Sequence, residues 1–462
     1  NTMLGILNFI QQVLSTPAIF VGLIALLGLA LQKKDAQTMV KGTIKTILGF
    51  LVLNAGSTVV QDAIIPFGDL FTLAFGIEGV VPNNEAIVSL GLDQFAVQTA
   101  SIFALGMVAN IILARFSGMK YIFLTGHHAL YMACLIAITL SIAGLTGTPL
   151  IIGGALLLGF IMAAFPALMQ PTIRKVTGND MLALGHFSST GYFISAQIGK
   201  LFGRDENTKT TEDVNFPQGL SFLRENTISI AIAMFICYLP VAGIVNFTNY
   251  DAGAKIFAGD NWFLFSVIKS ITFSAGIYIV LAGVRMLINE ILPAFKGISE
   301  KLVPNAKPAL DCPTVFPYAP NAVLIGFLCS FIGGIVGLIA LALMGQAGIA
   351  AAIILPGAVV HFFCGATAGV CGNATGGLKG AVAGSFVHGI IVTFLAAALY
   401  PILGALGFAN TTFSDADFTV VGIIIGNLMK IINGNTLLVV IVILFILPIL
   451  FNYTIGRKKA EN

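Results

Sequence analysis

The run LTGHHALYMACLIAITLSIAGLTGTPLIIGGALLLGFIMAAFPALMQ, residues 124–170, contains no Asp, Glu, Lys or Arg, and a histidine pair, His127 and His128, stands near its start. It divides into two apolar stretches, each close to the roughly 20 residues that cross a hydrocarbon layer, parted by a short Gly, Thr and Pro break. Lipid offers a backbone no water to bond with, so such stretches read as helices that satisfy their own N–H and C=O groups. The rest of the chain repeats the pattern. Of 462 residues 57% are apolar and 9% charged, mean hydropathy is +0.97, and one Trp stands against 36 Phe. That composition excludes a soluble enzyme. The expected fold is an all-α polytopic membrane protein of about 11 transmembrane helices. The 51 Gly and 17 Pro point to close helix crossings and to re-entrant or broken helices, with breaks expected at 54–57, Pro66, Pro356-Gly357 and 365–377.

A net charge of +3 gives no basic surface for nucleic acid. The six cysteines lack CxxC or Cys/His spacing and read as reduced thiols, so neither a metal nor a cofactor is expected. There is no Walker A sequence, HExxH or GxSxG, and GNATGG at 372–377 lacks the Lys-Ser/Thr of a phosphate loop, which leaves a close helix crossing or a broken helix as its reading. The N-terminal residues lack a secretory signal's basic segment and cleavage site, and 2–13 reads as an amphipathic lead-in helix.

Lys and Arg gather at 33–45, 174–175, 200–224, 296–307 and 457–459. The positive-inside rule places these in the cytoplasm together with the C-terminus. Residues 46–114, 309–378 and the loop around Asp415 and Asp417 are expected to reach the outer side. The polar stretch 199–226 divides the chain, giving a first half (1–226), a second half (227–435), and a last membrane helix with a cytoplasmic tail (436–462). Shifting the sequence by 227 positions lays GSTVVQDAIIPF (56–67) on GVRMLINEILPA (283–294) and Asn84 on Asp311; a shift of 231 lays LTGHHALYMAC (124–134) on LPGAVVHFFCG (355–365). Basic residues precede the first copy and follow the second, as expected for two inverted repeats. That architecture holds a solute near the bilayer midplane.

All five histidines, His127, His128, His186, His361 and His388, lie within or at the ends of apolar segments. A polar side chain at such depth costs roughly 2.5 to 3.5 kcal/mol on insertion scales, so it is turned toward a partner or a wet cavity. His127 and His186 are the stronger site candidates; the other three also suit hydrogen bonds between helices. His127 and His128 follow Thr125-Gly126 at a helix start, where free amides attract an anion, and Tyr131 shares a face with His127 one turn on. The repeat-matched polar residues Asn84, with Glu85 beside it, and Asp311 form a second group. Asp311 lies between Pro308 and Pro313, the signature of a non-helical tip, and its carboxylate suits the hydroxyls of a sugar-like solute. A helix cap in water remains the alternative for Asp311, and an outer loop for Glu85.

KGTIKTILGFLVLNAGS (41–57), LTGH (124–127), Gly185-His186, GVRMLINEILPAFKGISEKLVP (283–304) and ALDCPTVFPYAPNAV (309–323) resemble the membrane component, EIIC, of the bacterial phosphotransferase system for L-ascorbate. The resemblance covers nearly the whole chain. It implies a homodimer in the cytoplasmic membrane whose core domain moves against a V-shaped scaffold by an elevator mechanism. The solute would be ascorbate or a related sugar acid, phosphorylated by a separate cytosolic EIIB that is supplied by EIIA, so the chain itself would not be an enzyme. The implied substrate site comprises His127, His128, Tyr131, His186, Phe187, Asp311, Asn84 and Glu85. His127, His186 and Asp311 match ligand-contacting residues of the family. Tyr131 and Phe187 stand where members have glutamines, and Asn84-Glu85 where they have a Thr-Tyr pair. A proton- or sodium-coupled transporter of a sugar-like anion would use the same parts. An intramembrane enzyme built on the histidines is a third reading.

Overall fold

The computed structural model describes residues 17–76, 78–215, 217–289, 301–349, 351–404 and 410–461. The expected lead-in at 2–13 and residues 296–300 of one basic cluster lie outside these. The elements, in order, are α1 (Pro17–Leu31), α2 (Ala36–Phe75), β1 (Gly79–Pro82), α3 (Asn84–Phe116), β2 (Tyr121–Phe123), α4 (Gly126–Ile142), α5 (Gly147–Thr177), β3 (Ala183–Leu184), α6 (Ser189–Phe202), α7 (Asn226–Thr248), α8 (Tyr250–Phe257), α9 (Trp262–Ile288), β4 (Lys307–Leu310), α10 (Pro320–Gln346), β5 (Ile353–Ile354), α11 (Ala358–Leu403), β6 (Thr411–Thr412), α12 (Ala416–Leu428) and α13 (Gly434–Glu461). Among the described residues, eight helical stretches are long and apolar enough to cross a membrane, and the shorter α4 and α12 are apolar too.

Among the described residues the helices are joined by loops and by six short strands, which the sequence reading missed. At two to four residues each they are too short to show a period-two pattern. They form two parallel three-stranded sheets, ordered β5-β1-β6 and β2-β4-β3. Gly79 pairs with Ile353 and Val81 with Thr411; Tyr121 pairs with Lys307 and Ala183 with Ala309. Each central strand therefore comes from one half of the chain and both of its neighbours from the other.

The expected breaks fall out differently. Helix α2 runs through 54–57 and Pro66 without interruption. A proline frees the carbonyl four residues back, and here Lys269 Nζ donates to Asp62 O at 3.0 Å while Tyr238 Oη donates to Ala63 O at 2.8 Å. Neighbouring helices thus replace the lost bond. The Gly-rich 365–377 region does break: α11 opens with a π-helical turn over His361–Gly365 and doubles back at Gly376 (φ −145°) and Gly377 (φ 61°, ψ −151°). Gly372 and Gly380 then face each other so closely that a side chain on either would strike the other's backbone.

One sidedness expectation is corrected. Arg204 Nη1 donates to Asn373 O at 2.9 Å, Leu378 N to Lys209 O at 2.8 Å and Asn321 Nδ2 to Thr211 O at 3.1 Å. The α11 turn and the start of α10 therefore share a face with the basic 199–226 loop, so the whole of 309–378 does not lie on the opposite side.

Two groups of helices result. Helices α1, α2, α7, α8 and α9 pack chiefly on one another, and α3 to α6 with α10 to α12 form the second group. Within the first, a Cβ on Gly56 would lie 2.6 Å from Val280 N and one on Gly276 2.8 Å from Val60 N, so α2 and α9 cross with backbones nearly touching. In the second, a Cβ on Gly389 would fall on the Ser330 carbonyl oxygen where α11 crosses α10. Gly389→Ala is expected to destabilise the protein by about 1–3 kcal/mol, read as a lower unfolding temperature in detergent, whereas Gly345→Ala, with open space around its Cβ, leaves that temperature unchanged.

Candidate functional site

Each strand ends where a site residue begins. After β1 come Asn84 and Glu85 in the first turn of α3; after β2, His127 and His128 in the first turn of α4; after β3, His186; after β4, Asp311; after β5, the π-helical turn carrying Phe362 and Cys364; after β6, Asp415. These junctions enclose a cavity of about 440 Å³, completed by Glu225 and Arg285 from the first helix group. Helix N-termini carry unpaired amides and the positive dipole end, so this convergence favours an anionic or acceptor-rich ligand.

Most charged groups in the cavity are already engaged. His127 Nε2 lies 3.6 Å from Asp311 Oδ2, and His186 Nε2 lies 3.7 Å from Asp311 Oδ1, which also accepts the Cys312 amide at 2.7 Å. Asp415, 3% exposed, accepts from Asn84 Nδ2 at 2.7 Å and Ser414 Oγ at 2.8 Å, and its other oxygen faces His128 Nε2 at 3.9 Å. Glu225 caps its own helix through the Thr227 and Ile228 amides. Glu85, 6% exposed, keeps Oε2 without a hydrogen-bond partner among the described residues. The cavity thus offers imidazole N–H donors beside carboxylate acceptors, the pairing that a polyhydroxylated acid requires.

Six of the eight expected site residues, Asn84, Glu85, His127, His128, His186 and Asp311, line the cavity. Tyr131 and Phe187 do not. Tyr131 is buried against His127, His128 and Phe418, with no hydrogen-bond partner for its hydroxyl among the described residues. The Phe187 ring is fully buried and stacked on Phe123 at 4.5 Å; only its amide reaches toward the site, donating to His128 Nδ1 at 3.1 Å. His361 and His388 share Ser330 Oγ, at 2.9 and 3.1 Å, behind the site. Asp415 and Asp417, expected in an outer loop, are buried instead. Asp417 caps α6 by accepting the Ser189 and Thr190 amides at 2.7 and 2.8 Å.

Among the described residues, three groups bring candidate metal-ligand atoms within 4.8 Å of one another: His127, His128 and Asp311; His128, His186 and Asp415; and His186, Asp311 and Cys312. Two of them need His128. Because its Nδ1 accepts an amide proton, its own proton sits on Nε2, which then has no lone pair to give a metal.

Residues 12–417 match the family model described as "PTS system sugar-specific permease component". The chain belongs to the sugar-specific permeases of the phosphotransferase system. It is 30% identical over 429 residues to a Mycoplasma pneumoniae protein described as "Ascorbate-specific PTS system EIIC component", an alignment covering 81% of this chain and 63% of that protein. The permease chain therefore spans less than two thirds of that relative's length.

Sequence reasoning missed Asp415, Arg285, Glu225 and the π-helical turn of the permease. Asp415 had a legible signal, since with Asp417 it forms a small acidic pair between apolar runs. Behind the cavity, Asp180 binds Arg174 at 2.7 Å and Lys307 at 2.5 Å, clamping the turn before β3 to the first residue of β4. The Arg174 and then the Lys307 hydrogen bonds hold its carboxyl below the usual carboxylate range. The clamp contributes at neutral pH and is lost only in acid, below the ordinary range. Asp417→Ala, which removes a buried cap, is expected to cost the permease roughly 1–2 kcal/mol, seen as a lower unfolding temperature, and to loosen the loop that carries His186.

Proposed function

We propose that the cavity binds L-ascorbate or a closely related sugar acid and carries it inward, coupled to phosphorylation by a separate cytosolic EIIB charged by EIIA. The observation that carries this reading is the arrangement of His127, His186 and Asp311, two imidazoles around one carboxylate, at helix starts that converge on one cavity. The Mycoplasma relative's printed name supports the choice of solute. His127 and His186 donate to the anionic ring oxygens, Asp311 and Asp415 accept from hydroxyls, and Arg285 supplies the fixed positive charge. Tyr131 and Phe187 act behind the wall by packing the histidines. Glu85, with a free carboxylate oxygen, decides which member of the sugar-acid class fits.

The same proposal takes 1–226 and 227–435 as two inverted repeats in a homodimer with a cytoplasmic C-terminus. The repeat is supported by the positions of β1 and β4, and of β3 and β6, each pair beginning about 228 residues apart. The group of α1, α2, α7, α8 and α9 serves as the V-shaped scaffold, and the other group is the core that moves by an elevator motion. Both take helices from each half, so scaffold and core are not the sequence halves. Phosphorylation in the cytosol adds charge that the site does not accommodate, which makes uptake one-way. A proton- or sodium-coupled carrier is the second reading, favoured by the unpartnered buried oxygen of Glu85.

Calorimetry with ascorbate tests the site. His186→Ala and Asp311→Asn are expected to weaken binding at least tenfold, about the value of one charge-assisted hydrogen bond, and Glu85→Gln to strengthen it. Unchanged affinity in the first two variants would sink the site. In vesicles loaded with the phosphotransferase proteins, uptake is expected to survive an uncoupler; abolition by the uncoupler would favour the second reading.

A further inference from the structure

Two rings of the cavity are held from behind by groups that decide where their protons sit. A backbone amide can only donate, so the bond from Phe187 N to His128 Nδ1 leaves Nδ1 as an acceptor and places the ring proton on Nε2, 3.9 Å from Asp415 Oδ2. His186 has the same arrangement with a different partner. Its Nδ1 lies 2.7 Å from the hydroxyl of Tyr192, a side chain with no exposure, and its Nε2 faces Asp311 Oδ1 at 3.7 Å. An acceptor on the cavity side favours the proton on Nε2, and the Tyr192 hydroxyl then donates to Nδ1.

We infer that Tyr192 is a positioning residue that holds His186, as the Phe187 amide holds His128, in the neutral Nε2–H form. The cavity then offers two uncharged N–H donors side by side. The centroids of the two rings are 3.8 Å apart, a distance at which two imidazolium charges would repel strongly. Holding both rings neutral avoids that repulsion and still points both protons at the ligand. The ligand class that fits carries a carbonyl, enolate or carboxylate oxygen to accept these protons, next to hydroxyls that donate to Asp311 and Asp415. Tyr192 is well placed to keep this aim: its ring stacks on His388 at 6.1 Å and 20°, and it lies in the first turn of the helix that Asp417 caps.

This inference rests on the cavity being the ligand site, but the tautomers are read without any ligand. Long-range proton–nitrogen correlation spectra of isotope-labelled histidine in the full chain in nanodiscs, assigned through His127→Gln, His128→Gln, His361→Gln and His388→Gln, are expected to show the Nε2–H pattern for both His128 and His186. In Tyr192→Phe, His128 keeps that pattern, His186 becomes mixed or Nδ1–H, and ascorbate affinity falls roughly tenfold. An Nδ1–H signal for His186 in the wild type overturns the inference, and that measurement stands even if the variant fails to fold. An unchanged His186 pattern or an unchanged affinity in a folded Tyr192→Phe also overturns it. A wild type that shows the Nε2–H patterns but binds no ascorbate refutes the proposed substrate and leaves the tautomer assignment intact.

Discussion

A backbone that leaves the helical path inside lipid must find its hydrogen bonds elsewhere, and the rest of the structure follows from how this chain meets that demand. Among the described residues, six of its non-helical stretches pair their amides and carbonyls in two small parallel sheets. The sheets gather the irregular segments, and with them the helix starts, at one locality. Polar side chains that would be costly along a lipid-facing helix stand at those junctions, where partners are already present. The cavity is thus a product of the same constraint that makes the remainder of the chain helical.

Within the cavity, order comes from groups that never touch its open space. The Phe187 amide, the Tyr192 hydroxyl, Asp417 at the start of α6 and the salt bridges of Asp180 all act from behind. Such support holds small donor groups in a fixed direction. It also separates the two roles of the histidines. Those beside Asp311 and Asp415 line the cavity, whereas His361 and His388, tied to Ser330, hold α10 to α11.

The amino-acid sequence made much of this legible because charge is so scarce. Asp311, His127 and His186 stood out as isolated polar residues at the ends or breaks of apolar runs, and the structure brings them to one cavity. The break at Gly376-Gly377 was readable from its glycines. The continuity of α2 through Pro66 was not, because it depends on Lys269 and Tyr238 from other helices. Asp415 was misplaced because an acidic, lysine-free loop looks the same whether it faces water or is buried. The strands escaped notice because two to four residues carry no pattern, and their partners lie hundreds of positions away.

That separation has a consequence for how the protein is made. Asn84 and Asp415, bonded across the cavity, are 331 residues apart, and β1 at the centre of its sheet pairs with β5 and β6, both from the second half of the chain. As the polypeptide leaves the ribosome, the first half enters the membrane with a strand edge that nothing yet covers, and it stays so until most of the second half has been synthesised. Neither half is a self-sufficient folding unit, because each holds the missing middle of the other's sheet. Assembly is therefore post-insertional and slow relative to helix formation, and a ribosome that stalls before β5 leaves a species with unpaired edges for the quality-control machinery to remove.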